Sequence, residues 1–196
     1  MQPTVRANQM QEQSHMTGEL CKECNQCTCT VVYRSPRVKM DIESALRVVI
    51  ERLEHAEFKE KQKKTIVSFT AGKDVFVSLP TGYGKSLCYQ CLPVLFDTLS
   101  GHHESTSIIV VVTPLVAIMK EQVSELAKKG LSAVHVTPEL DEMVESALMD
   151  GKFSVVYISP EQLLGRVKWR EMLHSDVFQK NLVGFIIDEA HCVKKW

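Results

Sequence analysis

The sequence predicts an α/β protein: a parallel sheet with helices on both faces. Three observations predict it. Apolar runs and amphipathic stretches alternate repeatedly between Val75 and Asp188, as in chained strand–helix–strand units. Ile108–Thr113 is almost entirely β-branched, which suits a strand covered on both faces. A glycine-rich turn, Thr81-Gly82-Tyr83-Gly84-Lys85-Ser86, separates one apolar run from the next, and open α/β sheets bind ligands at such strand ends.

The elements follow in order. From Asp41, a reasonable N-cap, Ile42, Ala45, Leu46, Val49, Ile50 and Leu53 recur on one helical face. A second helix is expected from Lys59 to about Phe69, with its run of Lys and Glu mostly facing solvent. Strands are expected at Val75–Leu79, Ile108–Thr113, Ala133–Val136, Phe153–Ser159 and Leu182–Asp188. Helices are expected at Ser86–Leu99 (bent at Pro93), Pro114–Lys129 (stopped by Gly130), Glu139–Met149, Pro160–Leu164 and Trp169–Gln179.

The glycine turn is the first half of a site. Backbone N–H groups in such a turn point inward, and the following helix start adds partial positive charge. Lys85 is placed to reach outer phosphates, and the Ser86 hydroxyl to ligate magnesium. Thr81, Gly82, Tyr83 and Gly84 complete the cradle. The general P-loop pattern wants glycine at position 79, where this chain has Leu79; the form Pro-Thr-Gly-x-Gly-Lys-Ser is the one used by large helicase superfamilies.

The second half ends the last strand, where Asp188 and Glu189 stand side by side. A strand-tip aspartate can hold magnesium, directly or through water, and the neighbouring glutamate can orient and deprotonate an attacking water. Phosphoryl transfer needs little more than positioning and charge neutralisation. Both halves fall at carboxyl ends of expected strands, so the pattern alone brings them to one edge.

Composition narrows the alternatives. The 196 residues are 44% hydrophobic, with a formal net charge of −1. That allows one domain plus a tail with an ordinary core. Without a global basic footprint, any nucleic-acid contact is local. There is no apolar run of ~18 residues to span a membrane, and Met1–Glu19 has no secretory apolar core. The seven cysteines are not read as a disulfide framework, because an intracellular nucleotide-dependent protein keeps its thiols reduced. Cys88, Cys91 and Cys192 read as packing residues.

Residues 1–40 differ from the rest and are expected to be a poorly ordered polar leader before a domain at 41–196. Cys21, Cys24, Cys27 and Cys29 fall within nine residues. They are a candidate set for zinc or another soft metal. Structural zinc sites usually pair two separated knuckles, so an unstructured leader is the favoured reading and zinc the alternative.

Two stretches carry a resemblance. Leu79–Gln90, with Ser-Leu-Cys-Tyr-Gln after the lysine, and Asp188-Glu189-Ala190-His191-Cys192 resemble the first motor lobe of RecQ-type DNA helicases. Thr113–Val123 and Tyr157–Leu163 add to the likeness, which covers roughly residues 41–196. It implies a RecA-like lobe of a 3′–5′ helicase, with ATP and Mg2+ as ligands and nuclear residence. Phe58 and Gln62 match the upstream motif whose glutamine reads the adenine edge. Thr113, Pro114 and Leu115 match the segment that touches the DNA backbone. His191 matches the residue coupling ATP to DNA, and Trp196 the start of an aromatic loop that senses single strands by stacking. That loop commonly reads Ser-Gln-Trp; here it reads Lys194-Lys195-Trp196.

The sequence stops at Trp196, before a second lobe and its arginines. The expectation is therefore a fragment or truncated product that binds ATP, hydrolyses it poorly and unwinds nothing. A small-molecule P-loop kinase is the rival enzyme class, but it has no use for Asp-Glu-Ala-His at a strand tip. A non-catalytic ATP-binding or regulatory fragment is the other rival for the chain alone.

Overall fold

A computed structural model describes residues 28–33, 40–102 and 105–190. Strand β1 spans Thr28–Tyr33, and helices α1 (Ile42–Arg52) and α2 (Glu60–Thr70) follow. Strand β2 (Val77–Ser78) leads through the glycine turn into α3 (Leu87–Gln90) and α4 (Leu92–Ser100). Next come β3 (Ile108–Val112), α5 (Val116–Lys128), β4 (Ala133–His135), α6 (Glu142–Met149) and β5 (Val155–Ile158). The described chain closes with α7 (Pro160–Gly165), α8 (Val167–His174), α9 (Asp176–Asn181) and β6 (Leu182–Ile187).

The sheet order is β2-β1-β6-β3-β5-β4. Strands β6, β3, β5 and β4 are mutually parallel. Strand β1 pairs antiparallel with both β2 and β6, so β2 runs in the same direction as the parallel strands. The carboxyl ends of β2, β3, β5 and β6 therefore share one edge. Each is followed by a segment that the sequence singled out.

Alternation along the strands sorts the core into two layers. Ile109, Val111, Val155 and Tyr157 face a cluster built with α1 to α5. Ile108, Val110, Val112, Val156 and Ile158 face another, which includes Trp169 and Phe178. Both faces are covered, which is why these strands read as unbroken apolar runs. A register shift at Ile108/Ile109 interrupts the β3–β6 ladder. Beyond it lies Gly184, where an added Cβ would stand 3.4 Å from the Phe69 ring; the glycine lets α2 lie close on β6.

Local boundaries differ from expectation for physical reasons. The expected helix over Ser86–Leu99 is two helices, and Pro93, with no N–H to donate, sits in the first turn of α4. The expected helix Trp169–Gln179 divides at Ser175, whose Oγ accepts the Phe178 N–H at 3.4 Å and starts α9. Strand β2 keeps only two residues of the expected Val75–Leu79. Strand β1 has no counterpart in the sequence reading. The strand bearing the glycine turn was expected in a parallel ladder, and β1 stands between it and β6 instead.

Deleting residues 1–33 removes the ladder between β2 and β6. Backbone amides of Gly184–Ile187 are expected to exchange with deuterium faster, with a fall of several degrees in Tm. Unchanged exchange at these amides would mean that β1 does not hold β6.

Candidate nucleotide site

The glycine turn is shaped by its own backbone. Tyr83 N–H donates to Pro80 O at 3.1 Å. Gly82 (φ 77°) and Gly84 (φ 89°) adopt left-handed conformations that an L side chain resists. Lys85 Nζ donates to Leu79 O at 3.2 Å, so the ammonium folds back over its own loop. Ser86 heads α3 and its carbonyl accepts Gln90 N–H at 2.9 Å.

Gln62 clamps this loop from α2. Its Nε2 donates to Tyr83 O at 3.1 Å and Gly84 O at 3.0 Å. Its Oε1 accepts Lys59 N–H at 2.9 Å. Gln62 is only 2% exposed, and leaving its amide unpaired there would be costly. Lys59 Nζ adds a bond to Tyr83 O at 3.2 Å and lies 4.6 Å from the Tyr83 ring centroid. The expected adenine reader is thus engaged with the phosphate-loop backbone in this conformation. Phe58 packs against the core beside it.

Between α2 and the loop lies a cleft of about 320 Å³. Its walls include His55, Glu57, Lys59, Gln62, Ser86 and Gln90. Burial first, then the charge of Lys129, holds the His55 imidazole below its ordinary pKa, so it faces the cleft neutral at pH 7. Sequence reading assigned no site role to His55, Glu57 or Lys59, and took Gln90 only as part of the motif that carries the resemblance.

The acidic pair closes the same edge of the sheet. Asp188 N–H donates to Val112 O at 2.9 Å, extending the ladder one residue past β6. Tyr89 OH, from α3, donates to Asp188 Oδ2 at 3.2 Å. Glu189 N–H donates to Asp188 Oδ1 at 2.9 Å. Glu189 has φ 54°, a left-handed backbone costing a non-glycine residue about 1–2 kcal/mol. Such strain gathers at functional sites. The helix after Ser86 is therefore joined directly to the strand tip bearing Asp188.

The donor set suits a hard divalent cation. The Ser86 hydroxyl and Asp188 carboxylate supply oxygen, which magnesium prefers. An ionised carboxylate offers about four lone-pair sites, and the Tyr89 hydroxyl and Glu189 N–H use two of those on Asp188. Cys88 lies near this loop but burial pushes its thiol up to about 11, so it packs as a neutral group. Cys91 is raised too, by burial and then by Cys88.

Other sequence-singled residues fall as follows. Thr113 is buried, and its N–H donates to Ile158 O at 3.1 Å. Pro114 is half-buried, and Leu115 is exposed. His191, Cys192 and Trp196 lie outside the described residues, as do Cys21, Cys24 and Cys27. Cys29 falls in β1. Among the described residues, no cluster of three metal-ligating side chains occurs.

A phosphate loop and an acidic strand tip on one edge of an α/β sheet define a P-loop nucleotide-binding lobe. The DEAD/DEAH box helicase family model matches residues 59–196, and the chain belongs to that family. It is similar to RecQ-type helicases. It is 34% identical over 79% of its length to ATP-dependent helicase wrn-1 of Caenorhabditis elegans, spanning 14% of that protein. It is 32% identical over 83% of its length to ATP-dependent DNA helicase RecQ of Haemophilus influenzae, spanning 25%. Against ATP-dependent helicase SGS1 of Saccharomyces cerevisiae the figures are 35%, 71% and 10%. The chain thus spans a quarter or less of these relatives. Among solved structures, the DUF1998 helicase MrfA bound to DNA and AMPPNP matches 82% of the chain with a TM-score of 0.55 at 16% identity, a likeness of fold. These matches fit the RecA-like lobe expected from the sequence.

Gly84→Ala tests the clamp. The new Cβ would stand 2.7 Å from Gln62 Nε2, on a backbone at φ 89°. Nucleotide affinity is expected to fall roughly tenfold, the equivalent of the 1–2 kcal/mol that left-handed backbone costs a side chain. Isothermal titration reads the change; unaltered affinity would separate this loop from nucleotide binding.

Proposed function

We propose that this chain is the ATP-binding motor lobe of a RecQ-like 3′–5′ DNA helicase that couples ATP hydrolysis to unwinding in the complete protein. The observation that carries the reading is the tie between the two motif halves: Tyr89, three residues beyond Ser86, donates to Asp188 at the tip of β6. In this reading a single triphosphate lies between the loop and the carboxylate.

The roles follow from chemistry. Thr81, Gly82, Tyr83 and Gly84 cradle phosphates through backbone N–H groups. Lys85 leaves Leu79 O and pairs with the outer phosphates. Ser86 and Asp188 hold magnesium, which supplies charge neutralisation for phosphoryl transfer. Glu189 orients the attacking water and accepts its proton. Gln62, with Phe58 beside it, selects adenine once its amide turns from the loop. Bidentate amide pairing to adenine is chemically sound, and the adjacent cleft supports it. DNA contact is assigned to Thr113, Pro114, Leu115 and the Trp196 region, and ATP–DNA coupling to His191. A nuclear site of action in DNA repair and recombination is the reading taken from eukaryotic relatives.

A second reading concerns the 196 residues alone: an ATP- and nucleic-acid-binding product with a regulatory role or no independent one.

Lys85→Ala is expected to weaken Mg-ATP binding by roughly 10- to 100-fold, the worth of a charge-assisted bond. Unchanged affinity in titration would remove the phosphate assignment. In a protein extended to both lobes, Glu189→Gln should keep ATP but lose roughly 10²–10⁴ in turnover; near-normal hydrolysis would remove Glu189 as base. For the 196-residue chain no strand separation is expected in a fork-unwinding assay with ATP and magnesium, and a measurable rate would favour an autonomous motor.

A further inference from the structure

Behind Asp188, four polar side chains from α3, α5 and β5 meet within an otherwise apolar layer. Tyr89 OH donates to Asp188 Oδ2 at 3.2 Å. Gln90 Nε2 donates to the Tyr157 hydroxyl at 3.1 Å and also to Gln122 Oε1. Tyr157 OH is 3.5 Å from the same Gln122 oxygen. Tyr89 and Tyr157 are 3% and 1% exposed.

The arrangement joins two surfaces. Gln90 also lines the cleft beside Gln62 and Ser86. Gln122 lies on α5, which begins immediately after the Thr113–Leu115 segment at the sheet edge. Val116 and Ile118, in the first turn of α5, are exposed. One glutamine thus touches the cleft and another rides on the helix that follows the edge segment. Breaking the contact between them would take partners from the buried Tyr157 hydroxyl and from two half-buried amides. A shift of α3 is thereby coupled to α5.

We propose that Gln90, Gln122 and Tyr157 are positioning residues that transmit occupancy of the nucleotide cleft to α5 and the Thr113–Leu115 segment, with Gln122 as the junction. This rests on the reading of the cleft as a nucleotide site. Coupling of this kind is reciprocal. A ligand on the α5 side biases the cleft as much as nucleotide biases α5.

The test is deuterium exchange of α5 amides in the 196-residue chain, with and without magnesium and a non-hydrolysable ATP analogue. Wild-type protein should show nucleotide slowing exchange over residues 116–122 by roughly fivefold or more, the lower end of ordinary coupling. Gln122→Leu should bind the analogue with near wild-type Kd while α5 no longer responds. Gln122→Glu, whose carboxylate accepts from both Gln90 and Tyr157, should restore the response. Tyr157→Phe, which removes one hydroxyl and keeps the ring, should weaken it if Gln122→Leu fails to fold. An α5 response equal in wild type, Gln122→Leu and Tyr157→Phe would overturn the proposal. So would a wild-type chain that binds the analogue with α5 unmoved. A wild-type chain that binds no analogue would overturn the nucleotide reading itself, and this proposal with it.

Discussion

The site depends on one hydrogen bond, from the Tyr89 hydroxyl to the Asp188 carboxylate. Sequence separates these residues by 99 positions. The parallel sheet brings them to one edge, and Tyr89 fixes the helix behind the glycine turn against the tip of β6. A phosphate loop without that tie would be a turn on a strand end. An acidic pair without it would be an ordinary strand terminus.

The sheet makes this possible through direction alone. Strand β1 opposes both β2 and β6, so the last two agree in polarity although they do not pair. Their carboxyl ends open together, and those of β3 and β5 with them. The two apolar layers then hold the frame rigid, because β3 and β5 present alternate side chains to both. Buried polar groups include the cluster around Tyr157 and, ahead of β3, Asp97 bonded to Ser107.

Much of this was legible in the chain, for identifiable reasons. β3 and β5 are largely β-branched runs buried along their whole length, so pattern and burial agree. Both halves of the site sit in short motifs whose glycines and carboxylates have little other use. What failed to show was tertiary. Val31-Val32-Tyr33 is a fair strand signal, but it lies beside a cysteine cluster and its partners are strands far along the chain. Gln62 reads as a base-selecting amide, and only folding reveals that it first satisfies Tyr83 and Gly84 carbonyls. Tyr89 and Gln90 sit inside the motif that carries the family likeness, yet nothing in a linear string says that one meets Asp188 and the other Gln122. The left-handed backbone at Glu189 is likewise invisible, since glutamate gives no hint of it.

The most direct test is a crystal structure of the chain with magnesium and a non-hydrolysable ATP analogue. The account predicts Lys85 Nζ on the outer phosphates, away from Leu79 O, and the cation held between Ser86 Oγ and the Asp188 carboxylate. A triphosphate bound elsewhere, or a cation that Asp188 does not reach directly or through water, would contradict it.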